Sequence, residues 1–203
     1  MRRNAFVKSL ASIKGDRTLF GNYAAQSFLS FGLYEKLLAD RTGVRMNWIC
    51  EIGTQRGMTS LFLALHAYFM DIPFLTVDIR RQYGMHTANL LETIGARVET
   101  ADCFADPSVV DEFIPISPGL LFCDGGDKAK EVQRFAPRVR PGSIIVVHDW
   151  GTEVQEDAMP WEIVCKHEPW HGHSMSMGTR AGILRKMYVS EKYAYKAKQK
   201  KGE

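Results

Sequence analysis

Short apolar runs alternate with amphipathic stretches through most of the chain, and each run stops at an acid, a glycine or a histidine. Trp48–Ile52, Phe74–Asp78, the alternating Ala96–Thr100, Gly119–Asp124 and Ser143–Trp150 read as strands. Between them, about Thr59–Met70, about Gly84–Ile94, Asp106–Phe113 and the stretch opened by Asp127 read as helices, with Val132 and Phe135 on the inner face of the last. Strands recurring at intervals of about 25 residues, with helices between, predict an α/β fold around a doubly wound, mostly parallel sheet with helices on both faces. Before the first strand, Phe28, Phe31, Tyr34 and Leu38 recur at helical steps, which predicts an amphipathic helix over 24–38 and a helical cap over 1–45. After the fifth strand the pattern changes. A loop-rich stretch gathers Trp161, His167, Trp170, His171 and His173, and Arg180–Met187 reads as a last strand.

The first strand leads into the stretch with the most chemistry, Glu51-Ile52-Gly53-Thr54-Gln55-Arg56-Gly57, followed by an apolar helix. Gly53 lets the chain reverse without a Cβ, and Gly57 lets the first helical turn approach a ligand. A dinucleotide would need the pyrophosphate cradle Gly-x-Gly-x-x-Gly, and Gln55 stands where its middle glycine belongs. An acid two residues before the first glycine suits a cationic or amine-bearing ligand without phosphate.

The later strands also end in polar groups, at the edge where open α/β sheets bind ligands. Asp78 closes the second strand and is placed to accept both ribose hydroxyls of an adenosine; its plainer role is a helix cap. Asp102 is a candidate acceptor for an adenine amine, and Phe104 either stacks on such a ring or fills core. Asp124 ends the fourth strand, with Asp127 better placed to cap the helix that follows. His148 and Asp149 end the fifth. His66, alone on an apolar helix, reads as packed.

Composition narrows the setting. The 203 residues, 45% apolar, fit one domain with a substantial core. Cys50, Cys103, Cys123 and Cys165 form no close pair and no C-x-x-C, which argues against a disulfide framework or a structural zinc site and for a reducing cytoplasm. Lys8 and Lys14 interrupt any apolar core of a leader peptide, and no run is long enough for a membrane span. The net charge of +3 is carried by residues 190–203, with five lysines against two glutamates. That pattern is a solvated, disordered tail rather than a nucleic-acid surface. The expected partners are a small-molecule substrate and a second copy of the chain.

Residues of roughly 24–187 resemble a Rossmann-like class I S-adenosylmethionine-dependent methyltransferase of the cephalosporin-hydroxylase-like and metal-dependent O-methyltransferase group. The residues that carry the resemblance are Glu51-Ile52-Gly53-Thr54 with Gly57, Val77-Asp78, Cys123 to Asp127, and Arg140-Pro141-Gly142 running to Val147-His148-Asp149. The resemblance implies one domain over 1–189 with an antiparallel C-terminal strand. It implies a cofactor site of Glu51, Gly53, Thr54, Gly57, Asp78, Asp102, Phe104 and Asp124. It implies transfer to a hydroxyl of a small hydroxylated or sugar-containing molecule, with Asp124, His148 and Lys128 as catalytic candidates.

Relatives that use Mg²⁺ imply a divalent ion on Asp124, His148 and Asp149. His148 departs from their usual acid, which admits a softer metal or a general base instead. Lys128 lies four residues after Asp124, where the catechol enzymes keep their lysine three after. Two other readings stand beside this one: a catalytically silent binding protein of the same fold, and an iron oxygenase drawing on His148, Asp149 and one of His167, His171 or His173.

Overall fold

The computed structural model describes residues 46–115, 117–140 and 143–148, together with the backbone of the short strands at 18–19, 22–23, 164–166 and 186–190. The helix expected over 24–38, Asp149, the histidines at 167, 171 and 173, and most of the tail lie outside the described residues.

Two short strands, β1 (Thr18–Leu19) and β2 (Asn22–Tyr23), form an antiparallel pair. The main sheet opens with β3 (Ile49–Ile52), and the chain then alternates through α1 (Met58–Met70), β4 (Phe74–Asp78), α2 (Met85–Thr93), β5 (Arg97–Thr100), α3 (Ser108–Asp111), β6 (Leu120–Cys123), α4 (Lys128–Phe135) and β7 (Ser143–Val147). A 3₁₀ turn, Ala136–Arg138, links α4 to β7. The backbone strands β8 (Val164–Lys166) and β9 (Lys186–Ser190) complete a seven-stranded sheet in the order β5-β4-β3-β6-β7-β9-β8. The first five are parallel; β9 runs antiparallel to β7, and β8 antiparallel to β9. The last strand sits later than Arg180–Met187, sharing only Lys186 and Met187 with that span. This is a Rossmann-like α/β fold.

Strand alternation explains how so short a run builds two cores. Successive residues point to opposite faces, so Ile49, Phe74, Phe122, Ile144 and Val146 pack on one side with Leu61, Phe62 and Leu91 of α1 and α2. Trp48, Cys50, Ile52, Leu75, Val77, Leu121, Cys123, Ile145 and Val147 pack on the other with Val110, Val132 and Phe135. Both faces are covered, so the central strands read as continuous apolar runs. The α1 helix is apolar nearly all round and buried from Met58 to Ala64, whereas α4 keeps one buried stripe. Asp127 caps α4, its carboxylate accepting Lys130 N at 3.1 Å. His66 is buried beside Phe62, ring to ring at 4.7 Å. Cys50, Cys103 and Cys123 are free and buried, and burial pushes their thiols up, Cys103 to about 12.

The sheet's topology locates the site. From β3 the chain moves outward through β4 and β5, then returns to place β6 and β7 on the other side. The crevice between β3 and β6 at their carboxyl ends is the switch point where such sheets take ligands. Gly53 turns there at φ 103°, with its α-carbon packed on the end of β6. A Cβ at 53 would drive into the Asp124 carbonyl, and the φ itself disfavours any side chain. Gly53→Ala should therefore cost about 2–4 kcal/mol in urea unfolding. Gly126→Ala, where a Cβ meets nothing within 4 Å, should stay within about 0.5 kcal/mol of the parent.

Candidate active site

The turn after β3 is shaped by its own backbone. Gly57 N donates to Thr54 O at 2.7 Å, and Gln55 and Gly57 both take positive φ, 44° and 81°. A side chain at φ 44° is mildly strained, and a partner outside the turn offsets that strain. Gln55 N donates to Asp78 Oδ2 at 2.7 Å, and Arg80 N approaches Asp78 Oδ1 at 3.3 Å. The half-buried carboxylate that ends β4 thus clasps the turn that follows β3. Each carboxylate oxygen has two lone pairs, so Asp78 keeps capacity for hydroxyl donors from a ligand. Helix capping, its plainer reading, is not what Asp78 does.

Sequence reasoning passed over a neighbour of this clasp. Ile79, 62% exposed, presents a large apolar side chain directly after Asp78 at the ligand edge. Apolar surface placed next to a polar anchor suits the flat face of a ring. The signal was available in principle: an isoleucine directly after a strand-ending acid, with no helix or strand to bury it.

Other candidate residues make contacts within the protein itself. Glu51 is fully buried, its Oε2 accepting from Thr76 Oγ1 at 2.7 Å and from Ser60 Oγ. Thr54 is buried too, its Oγ1 2.6 Å from Thr76 Oγ1. Asp102 is exposed and its Oδ1 accepts Phe104 N at 2.9 Å and Ala105 N at 3.3 Å, closing its own loop. Phe104 packs at the rim of the second core, stacked on Phe135 with centroids 6.3 Å apart, and Lys130 Nζ lies 4.6 Å from its centroid. Its ring faces are engaged by the protein itself, which favours the core-filling reading.

Asp124, Lys128 and His148 do meet. His148 Nδ1 lies 2.8 Å from Asp124 Oδ1, and Lys128 Nζ lies 3.7 Å from the same oxygen while donating to Gly125 O at 3.0 Å. His148 and Lys128 are buried, and Asp124 is half-buried. A shared divalent ion is poorly served by this arrangement. The Asp124 oxygen it would need faces an imidazole nitrogen, and an ammonium already stands close to that oxygen, repelling a second cation. Asp149 lies outside the described residues, and among those described no group of three His, Cys, Asp and Glu side chains is placed to hold a metal.

Nearby, Glu131 is buried under the β6–α4 turn and accepts Gly125 N at 3.2 Å. Burial raises its carboxyl to about 7, against the lowering pull of that amide and of Lys128. Burial likewise raises Glu51 to about 8, its hydroxyl donors opposing, with the Asp124 and Asp78 charges adding to the rise.

Comparison with known proteins agrees with the fold. Residues 50–150 match the family model described as a methyltransferase domain, a span from β3 to just past β7. Among solved structures, the X-ray structure of YjhP from E. coli is similar at 13% identity and a TM-score of 0.40, covering 70% of this chain and 54% of that chain. The chain thus spans about half the length of YjhP, and a likeness so loose carries no functional weight. No curated protein matches. No helix among the described residues is long and apolar enough to cross a membrane. The matched span takes in the glycine turn after β3 and the switch-point crevice of this Rossmann-like sheet.

The two raised carboxyls give stability a direction in pH. A folded chain that keeps protons on Glu51 and Glu131 binds more protons than the unfolded chain between about pH 4.5 and about pH 8, so stability is highest below that window and falls through it. Urea midpoints should drop from about pH 5 to about pH 8, and the drop should shrink in Glu51→Gln combined with Glu131→Gln.

Proposed function

We propose that this protein is an S-adenosylmethionine-dependent methyltransferase acting on a hydroxyl of a small hydroxylated or sugar-containing molecule. The observation that carries the reading is the Asp78 clasp on the Gln55 amide, which sets a carboxylate with spare acceptor capacity over a glycine turn at the switch point. A cradle of this kind suits an adenosine ribose, and the absence of the middle glycine of a pyrophosphate cradle favours a phosphate-free nucleoside cofactor over NAD.

The residues fit such a cofactor in two ways. Asp78 would take the ribose hydroxyls, and exposed Ile79 beside it would meet the base. When bound, S-adenosylmethionine supplies a methyl group on a positively charged sulfur, open to in-line displacement by an oxygen. The remaining work falls to positioning and to proton transfer. His148, its Nδ1 against Asp124, would meet the acceptor hydroxyl through Nε2 and take its proton as the oxygen bonds to the methyl. Asp124 Oδ1, 2.8 Å from Nδ1, would orient the ring. Lys128 holds the β6–α4 turn through Gly125 O and supplies the local positive charge that a metal gives in Mg²⁺-dependent relatives.

Calorimetry with S-adenosylhomocysteine tests the cofactor. The parent should bind it and show no measurable heat with NAD, and Asp78→Ala should weaken binding by about 1–3 kcal/mol. Unchanged affinity in a folded Asp78→Ala variant would remove Asp78 from the site. Once an acceptor is in hand, methyl transfer should be indifferent to a chelator and fall by at least about 100-fold in His148→Ala, the scale of general base catalysis. Activity lost to a chelator and restored by Mg²⁺ or Mn²⁺ would reverse the assignment in favour of a metal.

A further inference from the structure

Four buried side chains from four places in the chain form a continuous hydrogen-bonded line beneath the glycine turn. Glu51 belongs to β3, Ser60 to the first turns of α1, Thr76 to β4, and Thr54 to the turn itself. Thr76 Oγ1 donates to Glu51 Oε2 and lies 2.6 Å from Thr54 Oγ1, where either hydroxyl can be the donor. Ser60 donates to the same Glu51 oxygen from the helix side. The line therefore runs from Thr54 through Thr76 to Glu51, which is anchored a second time by α1.

Glu51 Oε1 has no hydrogen-bond partner among the described residues, and no part of Glu51 reaches the surface. A carboxylate that met the charged end of a ligand would have to face the crevice. This one faces into the layer between the sheet and α1, on the side shared with Ile49 and Phe122. The turn is thus held from two directions: Asp78 grips the Gln55 amide at the rim, and the Thr54 hydroxyl is tied down from within.

We infer that Glu51 is a positioning residue, which holds the turn over 53–57 through Thr76 and Thr54 and does not touch the ligand. The clause about the ligand rests on the cofactor reading above; the clause about the turn does not. Burying a carboxyl at such a place is tolerable because its neighbours are hydroxyl donors and because burial keeps it largely protonated at neutral pH.

Hydrogen exchange on the free protein, followed by mass spectrometry, tests the turn. In Thr76→Val the Gln55 and Gly57 amides should exchange about tenfold faster, and Thr76→Ser, which restores the hydroxyl, should return them to the parental rate. Glu51→Ala should loosen the same amides, and Glu51→Gln, whose amide oxygen can take both hydroxyl donors, should restore them. If Thr76→Val does not fold, Thr54→Val cuts the same line at its outer end and should give the same acceleration. Parental exchange in the valine variant would overturn the inference. Calorimetry then separates the two clauses: Glu51→Gln should bind S-adenosylhomocysteine within about threefold of the parent, whereas loss of tenfold or more with protected turn amides would mean a direct charged contact and overturn it. Should the parent bind no S-adenosylhomocysteine, the methyltransferase reading falls, and the exchange data still decide whether Glu51 positions the turn.

Discussion

The turn after β3 can rest on the end of β6 only because residue 53 has no side chain. That one close approach, of the Gly53 α-carbon to the Asp124 carbonyl, sets the distance between the two strands that bound the crevice. With it, Gln55 comes within reach of Asp78, and the end of β6 delivers Asp124 beside His148. A second glycine repeats the device at the other end of the strands, where Gly119 lies against the Trp48 ring with no room for a Cβ. Trp48 is fully buried there and donates from its indole nitrogen to Ser117 O at 2.7 Å. The paired central strands β3 and β6 are thus fixed at both ends by contacts that any larger residue would break.

Around that frame the protein holds more buried charge and polarity than a purely structural sheet would need. Glu51, Lys128, Glu131 and His148 are all buried. Such groups are costly unless satisfied. Most of their partners are short-range: hydroxyls for Glu51, a backbone amide for Glu131, a carbonyl for Lys128, a carboxylate for His148. The polarity is concentrated at one end of the sheet, the end the topology makes concave.

The sequence carried the strands well because each apolar run is bounded by a residue that cannot continue it. Gly53, Asp78, Asp124 and His148 end their runs where β3, β4, β6 and β7 end, within a residue. Asp127 was legible as a cap for the same reason, since its position one residue before α4 leaves it little else to do. Side-chain direction was harder. Glu51 and Thr54 sit in a motif associated with a ligand, and strand parity alone does not say which face carries the helix that will cover Glu51. Asp102 holds its own loop through two amides on one oxygen, a local role that spacing does not announce. Beside the expected metal set stands a neighbour that spacing alone does not announce: the ammonium of Lys128, one helical turn past Asp124, lies 3.7 Å from the Asp124 carboxylate. Ile79 went unnoticed because a single exposed apolar residue has no periodicity to announce it.

The three buried cysteines have a consequence of a different kind. Cys50 lies within β3, Cys123 ends the adjacent strand β6, and Cys103 lies just beyond the end of β5, all in the second core. Their thiols are kept protonated and out of contact with solvent, so thiol reagents meet no reactive sulfur at these positions while the sheet is closed. Modification at Cys50 or Cys123 requires this core to open. The molecule therefore carries its own timekeeper: the rate at which these two positions become labelled counts the openings of that core, with no probe added.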